Sequence, residues 1–257
     1  MEIIAEVGLA HDGSMTAANA YIDACAAAGV DGVKFQCHDG DPVKRWRVKP
    51  AWFTGTRDQY WSLTSFALWE WEALAEHCTQ RSVEFLCSVF SLDALKLIDP
   101  LVKRHKIPSG RVADLVLLQA VKDTGKPVIL SWGMATRVEM KVALDLLGKG
   151  TQVLECATKC PADPEDISLP AAAGWRGLSD HSGTIWPGIA AAALGCQMLE
   201  VHVCWSKEQG TLDAEASLDM GQLRQLVDGV RFVERAMHPA DKDAQARELA
   251  DVRRVFM

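Results

Sequence analysis

The sequence predicts an α/β protein with the (β/α)8 TIM barrel fold in a single domain. Apolar runs of strand length alternate along the chain with longer segments of helical period, which is the pattern of a parallel sheet with crossover helices. About eight such strands fall within roughly 240 residues, close to the typical barrel length of about 250 residues. An open, doubly wound sheet is the alternative, but no glycine-rich dinucleotide motif begins the first helix.

The first half of the chain supplies four strands and the helices that connect them. The alanine-rich segment 15–28 is followed by Gly29, and the helical segment 112–124 is followed by Gly125, a residue type that commonly ends helices. Short apolar runs between these segments predict buried strands. The predicted strands are 3–8, 32–37, 82–89 and 105–108, and the predicted helices are 15–28, 69–80, 91–98 and 112–124.

The second half repeats the strand–helix unit and then adds a charged tail. Proline and alanine between residues 160 and 175 predict a loop followed by a weak turn. The charged segment 241–255 predicts a solvated amphipathic helix. The chain therefore divides into a barrel over 1–238 and a C-terminal helical tail over 239–257. The remaining predicted strands are 128–132, 152–158, 176–179 and 198–204, and the remaining helices are 137–147, 187–195 and 218–237.

A long insertion, residues 38 to 68, follows the second strand and is dense in aromatic side chains. One interpretation is a hydrophobic lid that packs on the barrel rim, and the other is an aromatic surface for a substrate or a second subunit. Its aromatic residues are Trp46, Trp52, Phe53, Tyr60 and Trp61.

The bulk composition excludes several classes of function. A net charge of −7 and a pI near 5.5 argue against a general nucleic-acid binder, which would carry a basic face. No apolar run is long enough to cross a bilayer, and the first residues lack the basic start of a secretion signal. The 8 cysteines are scattered without zinc spacing, as in a reduced, cytoplasmic protein.

Polar residues collect where the predicted strands end. In a TIM barrel the chemistry lies at the C-terminal ends of the strands. Buried charges cost several kcal/mol unless they are paired or ligated, so a purely structural barrel has no reason to place them there. The pattern therefore indicates an enzyme. The residues are Glu6, Lys34, Gln36, Ser88, Lys106, Ser109, Ser131, Glu155, Ser179, Asp180, His181, Glu200 and His202.

Two pairs of these residues suggest specific chemistry. His181 and His202 follow consecutive strands at matching positions, which predicts a metal site with two imidazole ligands. Lys34 and Lys106 lie within apolar strands. They are interpreted as anion-binding point charges, with an imine-forming lysine and a snorkelling edge lysine as alternatives. Nearby hydroxyl groups favour anion binding.

Several motifs resemble, in order and spacing, those of the sialic acid synthase (NeuB-like) family. They span residues 3 to about 217 and would be weak evidence singly. The motifs are Ile4-Ala5-Glu6-Val7-Gly8, His11-Asp12-Gly13, Val33-Lys34-Phe35-Gln36, Lys106-Ile107-Pro108-Ser109-Gly110, the segment 125–134, Leu178-Ser179-Asp180-His181-Ser182 and Glu200-Val201-His202-Val203.

The resemblance implies an enzyme that condenses phosphoenolpyruvate with an aldehyde sugar to a 2-keto acid and releases phosphate. It implies a divalent metal, Mn²⁺ first and Mg²⁺ or another ion as the alternative. Glu6, Lys34, Lys106, His181 and His202 would be catalytic, with both histidines as metal ligands. Substrate contacts are expected from Gln36, Ser88, Ser109, Arg111, Ser131, Glu155, Ser179, Asp180, Glu200 and Asp213.

The chain departs from the family pattern where the sugar would bind. Glu155 stands where the family has histidine, Arg111 where an acidic residue is frequent, and Trp132 where threonine is usual. Asp213 is kept without the histidine that often follows it. We therefore expect a phosphoenolpyruvate half that is kept and a sugar half that is rebuilt.

The resemblance also bears on assembly. Typical members continue into an antifreeze-like (SAF) domain that reaches over the partner's active site, and this chain is expected to lack it. The insertion from Trp46 to Trp61 would then close the site, and a homodimer is one candidate assembly, although the sequence does not fix the oligomeric state. The alternative to an active synthase is a non-catalytic or partner-dependent barrel that binds a phosphorylated ligand, and a lyase that forms an imine is a third reading.

Overall fold

Eight parallel strands close into a barrel in the order β1 to β8, which confirms the predicted fold. The computed structural model describes residues 1–38 and 57–256. The strands are β1 (Glu2–Gly8), β2 (Gly32–Cys37), β3 (Glu84–Val89), β4 (His105–Ile107), β5 (Val128–Trp132), β6 (Gln152–Cys156), β7 (Gly177–Asp180) and β8 (Met198–His202).

The helices of the described residues surround this barrel and follow the strands in turn. They are α1 (Met15–Ala28), α2 (Arg57–Leu63), α3 (Leu68–Gln80), α4 (Leu92–Ile98), α5 (Leu115–Asp123), α6 (Arg137–Leu147), α7 (Leu169–Trp175), α8 (Trp186–Ala193), α9 (Met220–Ala236), α10 (Lys242–Glu248) and α11 (Ala250–Arg254).

Local capping explains why several predicted helix bounds are correct. Helix α1 begins after Ser14, whose side chain accepts the N–H of Ala17, and it ends at Gly29 in the left-handed conformation. Helix α6 begins at a capping box formed by Thr136 and Glu139. These side chains satisfy backbone groups that a helix end leaves without partners.

Other element ends differ from the prediction for identifiable reasons. Helix α5 begins at Leu115 rather than at 112, because the Asp114 side chain caps it by accepting the N–H of Leu117. The segment predicted as a weak turn is helix α7, which is capped by Ser168. The tail is two short helices instead of one, with the break at Leu249.

Each strand of the barrel packs one face against the barrel interior and the other face against the helices. One small cluster fills the interior, and a second, larger cluster lies between the strands and the helices. Side chains alternate between these faces along each strand. Two positions after each interior apolar residue, the chain therefore presents another side chain to the interior. The apolar layer is Ile4, Leu86, Ile129, Leu154 and Met198, and the residues above it are Glu6, Ser88, Ser131, Cys156 and Glu200.

Ionic contacts lie at the end of the barrel where the strands begin. Arg104 contacts the carboxylates of Glu2 on β1 and Glu84 on β3. His105 is fully buried, and its Nε2 lies 2.9 Å from Oδ1 of Asp99, which Lys126 also contacts. In TIM barrels, contacts at this end serve stability rather than chemistry.

Only part of the aromatic insertion belongs to the described residues. Trp46, Trp52 and Phe53 lie outside the described residues, so the predicted lid stays a prediction. Tyr60 and Trp61 belong to α2. The Tyr60 hydroxyl donates to Asp12 at 2.8 Å, which holds α2 against the loop that follows β1. In the part of the chain that is described, no helix has the length and apolar character needed to cross a membrane.

Candidate active site

A cavity of about 310 Å³ opens among the C-terminal ends of the strands. Eleven of the residues predicted for the site line it, although they come from sequence positions 6 to 202. The lining residues are Glu6, Lys34, Gln36, Ser88, Lys106, Ser109, Ser131, Ser179, His181, Glu200 and His202, together with Phe90, Pro108 and Cys156.

Lys34 lies between two carboxylates inside this cavity. Its Nζ is 2.8 Å from Oε2 of Glu6 and 3.6 Å from Oε1 of Glu200, and it donates to the Ser88 hydroxyl at 2.6 Å. The side chain is only 2% exposed. A lysine so deeply buried keeps its charge only where carboxylates compensate it.

Lys106 approaches the same carboxylate from the other side. Its Nζ is 3.3 Å from Oε1 of Glu200 and donates to the Ser131 hydroxyl at 2.7 Å. The Ser179 hydroxyl donates to that same oxygen at 3.0 Å. One oxygen of Glu200 thus forms ion pairs with two ammonium groups and accepts a hydrogen bond from a hydroxyl.

Burial and neighbouring charge oppose each other in these pKa values. Burial alone would lower the pKa of Lys34, but Glu200 and Glu6 outweigh it and raise the pKa. Burial and the nearby Lys34 lower the pKa of Lys106 despite Glu200. Burial would raise the pKa of Glu200, but Lys106 and Lys34 hold it well below its usual range. The positive charges of Lys34 and Lys106 are thus compensated by the acidic side chains of Glu6 and Glu200.

The two predicted metal ligands lie next to each other in the cavity lining. The ring centroids of His181 and His202 are 4.9 Å apart. Nδ1 of His181 is 3.2 Å from the carbonyl oxygen of Ser179, which can only accept, so the lone pair of His181 is on Nε2. Burial lowers the pKa of His202 to about 4, which leaves its imidazole neutral near pH 7.

These histidines suit a metal that takes most of its ligands from elsewhere. Within residues 1–38 and 57–256, no group of three or more His, Cys, Asp or Glu side chains could hold a metal ion. Two imidazoles suit Mn, Fe, Co or Zn, and a site that leaves the remaining positions to water or substrate oxygens differs from a closed structural zinc site.

Four predicted site residues lie outside the cavity. Glu155 alternates with Leu154 and Cys156 along β6, so the interior position belongs to Cys156. The guanidinium of Arg111 contacts Asp114 at 3.4 Å. The third is Asp180, which accepts the backbone N–H of Ser182. The fourth is Asp213, which lines a separate small cavity and whose Oδ2 is 3.9 Å from Nδ1 of His202.

Sequence reasoning missed three lining residues. Cys156 could have been found from strand parity, because it lies two positions after the interior Leu154. Its Sγ is 3.9 Å from Nδ1 of His181. Pro108 and Phe90 follow β4 and β3 directly, but an apolar residue at a strand end carries no signal of its own.

Residues 21–242 match the model of the NeuB family. The chain belongs to the NeuB family. The N,N'-diacetyllegionaminic acid synthase of Campylobacter jejuni is 30% identical over 271 residues, which cover 97% of this chain and 81% of that protein. The human N-acetylneuraminate-9-phosphate synthase is 28% identical, with 96% and 74% covered.

A solved NeuB-type structure agrees with this fold. The N-acetylneuraminic acid synthetase of Leptospira borgpetersenii superposes with a TM-score of 0.82 at 25% identity, covering 98% of this chain and 90% of that one. The resemblance and the TIM barrel predicted from the sequence are therefore confirmed for this NeuB-family chain, whereas the roles of single residues stay predictions.

Proposed function

We propose that the protein is a metal-dependent synthase that condenses phosphoenolpyruvate with a sugar-like aldehyde, forms a 2-keto acid and releases phosphate. The observation that carries this proposal is the convergence of Lys34 and Lys106 on one oxygen of Glu200, beside the imidazoles of His181 and His202. The curated relatives named above are synthases of nine-carbon acidic sugars, which supports the same class of reaction.

Phosphoenolpyruvate would bind at the lysine side of the cavity. Lys34 and Lys106 offer ammonium groups, while Ser88, Ser109 and Ser131 offer hydroxyls at the ends of neighbouring strands. Charge-assisted hydrogen bonds of this kind are the strongest that a protein offers to phosphate and carboxylate oxygens. The anion would take over contacts that the two lysines make with Glu200.

His181 and His202 would hold the divalent metal, with Mn²⁺ as the first expectation and Mg²⁺ as the alternative. When bound there, such an ion supplies Lewis acidity toward an aldehyde oxygen. Neutral imidazoles are needed for this, and the buried His202 meets the requirement. The Ser179 carbonyl orients His181 through its Nδ1–H.

Glu6 is the group in the cavity that is best suited to move a proton. Burial raises its pKa in spite of the attraction of Lys34, and its Oε1 accepts from Gln36 at 2.8 Å. In the reaction the C3 carbon of phosphoenolpyruvate forms a bond to the aldehyde carbon, and the aldehyde oxygen takes a proton. Water then adds at C2 and phosphate leaves.

The aldehyde is expected to differ from N-acetylmannosamine. Arg111 and Glu155 stand at positions where the family pattern has other residues, and they lie outside the cavity. Their position supports a sugar-binding half of the site that differs from the family pattern. A homodimer also stays a proposal.

The test is release of inorganic phosphate from phosphoenolpyruvate in the presence of Mn²⁺ and a panel of aldehyde sugars. We expect release that needs an aldehyde, is abolished by EDTA and is lost in Lys106→Ala and His202→Ala. Lys159→Ala is the control, because that lysine lies at the surface and contacts Asp163. Thermal stabilisation by phosphoenolpyruvate and Mn²⁺ without turnover on any aldehyde would instead support the non-catalytic barrel.

A further inference from the structure

A histidine at the rim of the cavity is held between two aromatic rings. His38 directly follows β2, and its ring stacks on Trp61 at 4.2 Å with an interplanar angle of 11°. On the other face it stacks on Phe90 at 3.7 Å with an angle of 25°. Phe90 lines the cavity. Stacking on both faces fixes the plane of the imidazole, so only its edge can make directed contacts.

The edge of His38 begins a short chain of hydrogen bonds that ends at Glu6. Nε2 of His38 lies 2.8 Å from Oε1 of Gln36, and Nε2 of Gln36 donates to Oε1 of Glu6 at 2.8 Å. An amide oxygen can only accept, so His38 carries a proton on Nε2 in this contact. On the other side of the amide, Oε1 of Glu6 accepts the N–H of Gln36. Both neighbours therefore select the same orientation of the Gln36 amide.

The backbone leaves room for this arrangement at one point. Gly8 has φ +56°, and a Cβ built there would lie 3.2 Å from Nε2 of Gln36 and 3.6 Å from Oε1 of Glu6. A side chain at position 8 would therefore press on the amide–carboxylate contact. The absence of a side chain at Gly8 is a second, independent feature that serves the same pair.

We propose that His38 is a positioning residue, which acts by fixing the Gln36 amide so that its nitrogen faces Glu6. The second N–H of that amide is then the hydrogen-bond donor that Gln36 offers in the cavity. A flipped amide would offer an oxygen instead. The site would accordingly favour an aldehyde that presents a pure hydrogen-bond acceptor, such as a carbonyl oxygen, at this position. This inference rests on the proposed function, since it assigns Gln36 to the aldehyde rather than to phosphoenolpyruvate.

The kinetic test compares two substitutions at His38. His38→Phe keeps the stacked ring but removes the donor, and we expect the KM for the aldehyde to rise about tenfold with the KM for phosphoenolpyruvate unchanged. His38→Gln restores a donor and should recover part of the loss. His77→Phe is the matched control, because His77 lies on helix α3 away from the cavity. Its Nε2 is 2.7 Å from Oδ1 of Asp23 on helix α1. An unchanged aldehyde KM in His38→Phe, or an equal rise in both KM values, would overturn the inference.

A second readout does not depend on turnover. In protein labelled with ¹⁵N-histidine, the His38 signal is the one lost in His38→Phe, and it should report an Nε2–H tautomer that is perturbed by Gln36→Leu. An Nδ1–H tautomer would overturn the inference even in an active enzyme. An Nε2–H tautomer in a protein that releases no phosphate with any aldehyde would support the His38 contact while the proposed function fails.

Discussion

The lysines of the cavity depend on carboxylates for their charge. Lys34 and Lys106 are each 2% exposed, and both reach Oε1 of Glu200. Removing one partner of a buried ion pair leaves an uncompensated charge, which is more costly than the pair itself is stabilising. The same residues that would bind the anionic substrate therefore also bear on the stability of the folded barrel.

Lys34→Met tests this coupling. The change leaves Glu6 and Glu200 without their shared cation, so we expect the free energy of unfolding to fall by about 3 kcal/mol. Urea denaturation measures it. Lys141→Met is the control, because Lys141 pairs with Asp145 at the surface, where removing a pair costs about 0.5 kcal/mol or less. Equal losses in both variants would contradict the interpretation.

His105 makes stability depend on pH at the opposite end of the barrel. Burial lowers its pKa below 6.5, although Asp99 opposes the shift. Between the lowered folded value and the unfolded value, the unfolded chain binds more protons, so stability should fall as pH drops below 6.5. One such group contributes at most about 1.4 kcal/mol per pH unit.

Urea titrations from pH 7 downward can isolate this contribution. His105→Asn should reduce the slope of stability against pH below about 6.5. The slope will not vanish, because the pKa of His202 is lowered as well. His238→Asn, at an exposed position just after α9, is the control variant. A slope that stays the same in His105→Asn would show that His105 does not titrate as expected.

At the scale of elements, the end of β1 combines a bulge with the site. The register against β2 shifts between Glu6 and Gly8, and Gly8 adopts a positive φ. A bulge of this kind bends the strand and redirects its side chains near functional sites. Here it places Glu6 beside Lys34 while leaving space for Gln36.

Gly8→Ala separates backbone strain from crowding at the site. Alanine at positive φ should cost about 1 kcal/mol of stability. Gly125→Ala is the matched control, since it has φ +73° with nothing within 4 Å of the added Cβ. Both variants should lose similar stability in urea, but only Gly8→Ala should raise the aldehyde KM. An aldehyde KM that rises in both variants would contradict the idea that a side chain at position 8 acts by crowding Gln36.

Element ends show where local sequence was a sufficient guide. The bounds of α1 and α6 follow from caps that can be read in the sequence, such as Ser14 and Thr136. Strand β8 was expected to run to residue 204 but ends at His202. The backbone beyond it bonds instead to Leu218, which is fourteen residues or more away along the chain. Such a partner is not visible in a local pattern.

At the scale of the molecule, the tail contributes little to the closed barrel. Helix α9 buries Leu223, Leu226, Val227 and Val230 against the rest of the fold, whereas α10 and α11 bury no residue. Apolar burial is the main source of folding free energy. The proposed division at residue 238 follows from this difference.

Deleting residues 239–257 should therefore leave the melting temperature almost unchanged, within about 0.5 kcal/mol of stability. Stopping the chain at residue 219 removes α9 and should prevent folding. Differential scanning calorimetry on both truncated proteins tests the division. A loss of several degrees in the shorter deletion would mean that the tail packs on the barrel more than its exposure indicates.

The sequence by itself determined the fold and most of the candidate site. Alternating strand and helix periods, with motifs at the strand ends, were enough to predict the barrel and eleven of the residues that line the cavity. These signals are local, because the period of an element and the residues at its end are written in consecutive positions.

Only the tertiary structure decided which face of the wall each side chain takes and which groups meet. It gave the interior position to Cys156 rather than Glu155, joined Lys34 and Lys106 at Glu200, and clamped His38 between Trp61 and Phe90. The physical reason is that strand register and barrel closure bring together residues distant in sequence, and one step in register turns a side chain to the other face.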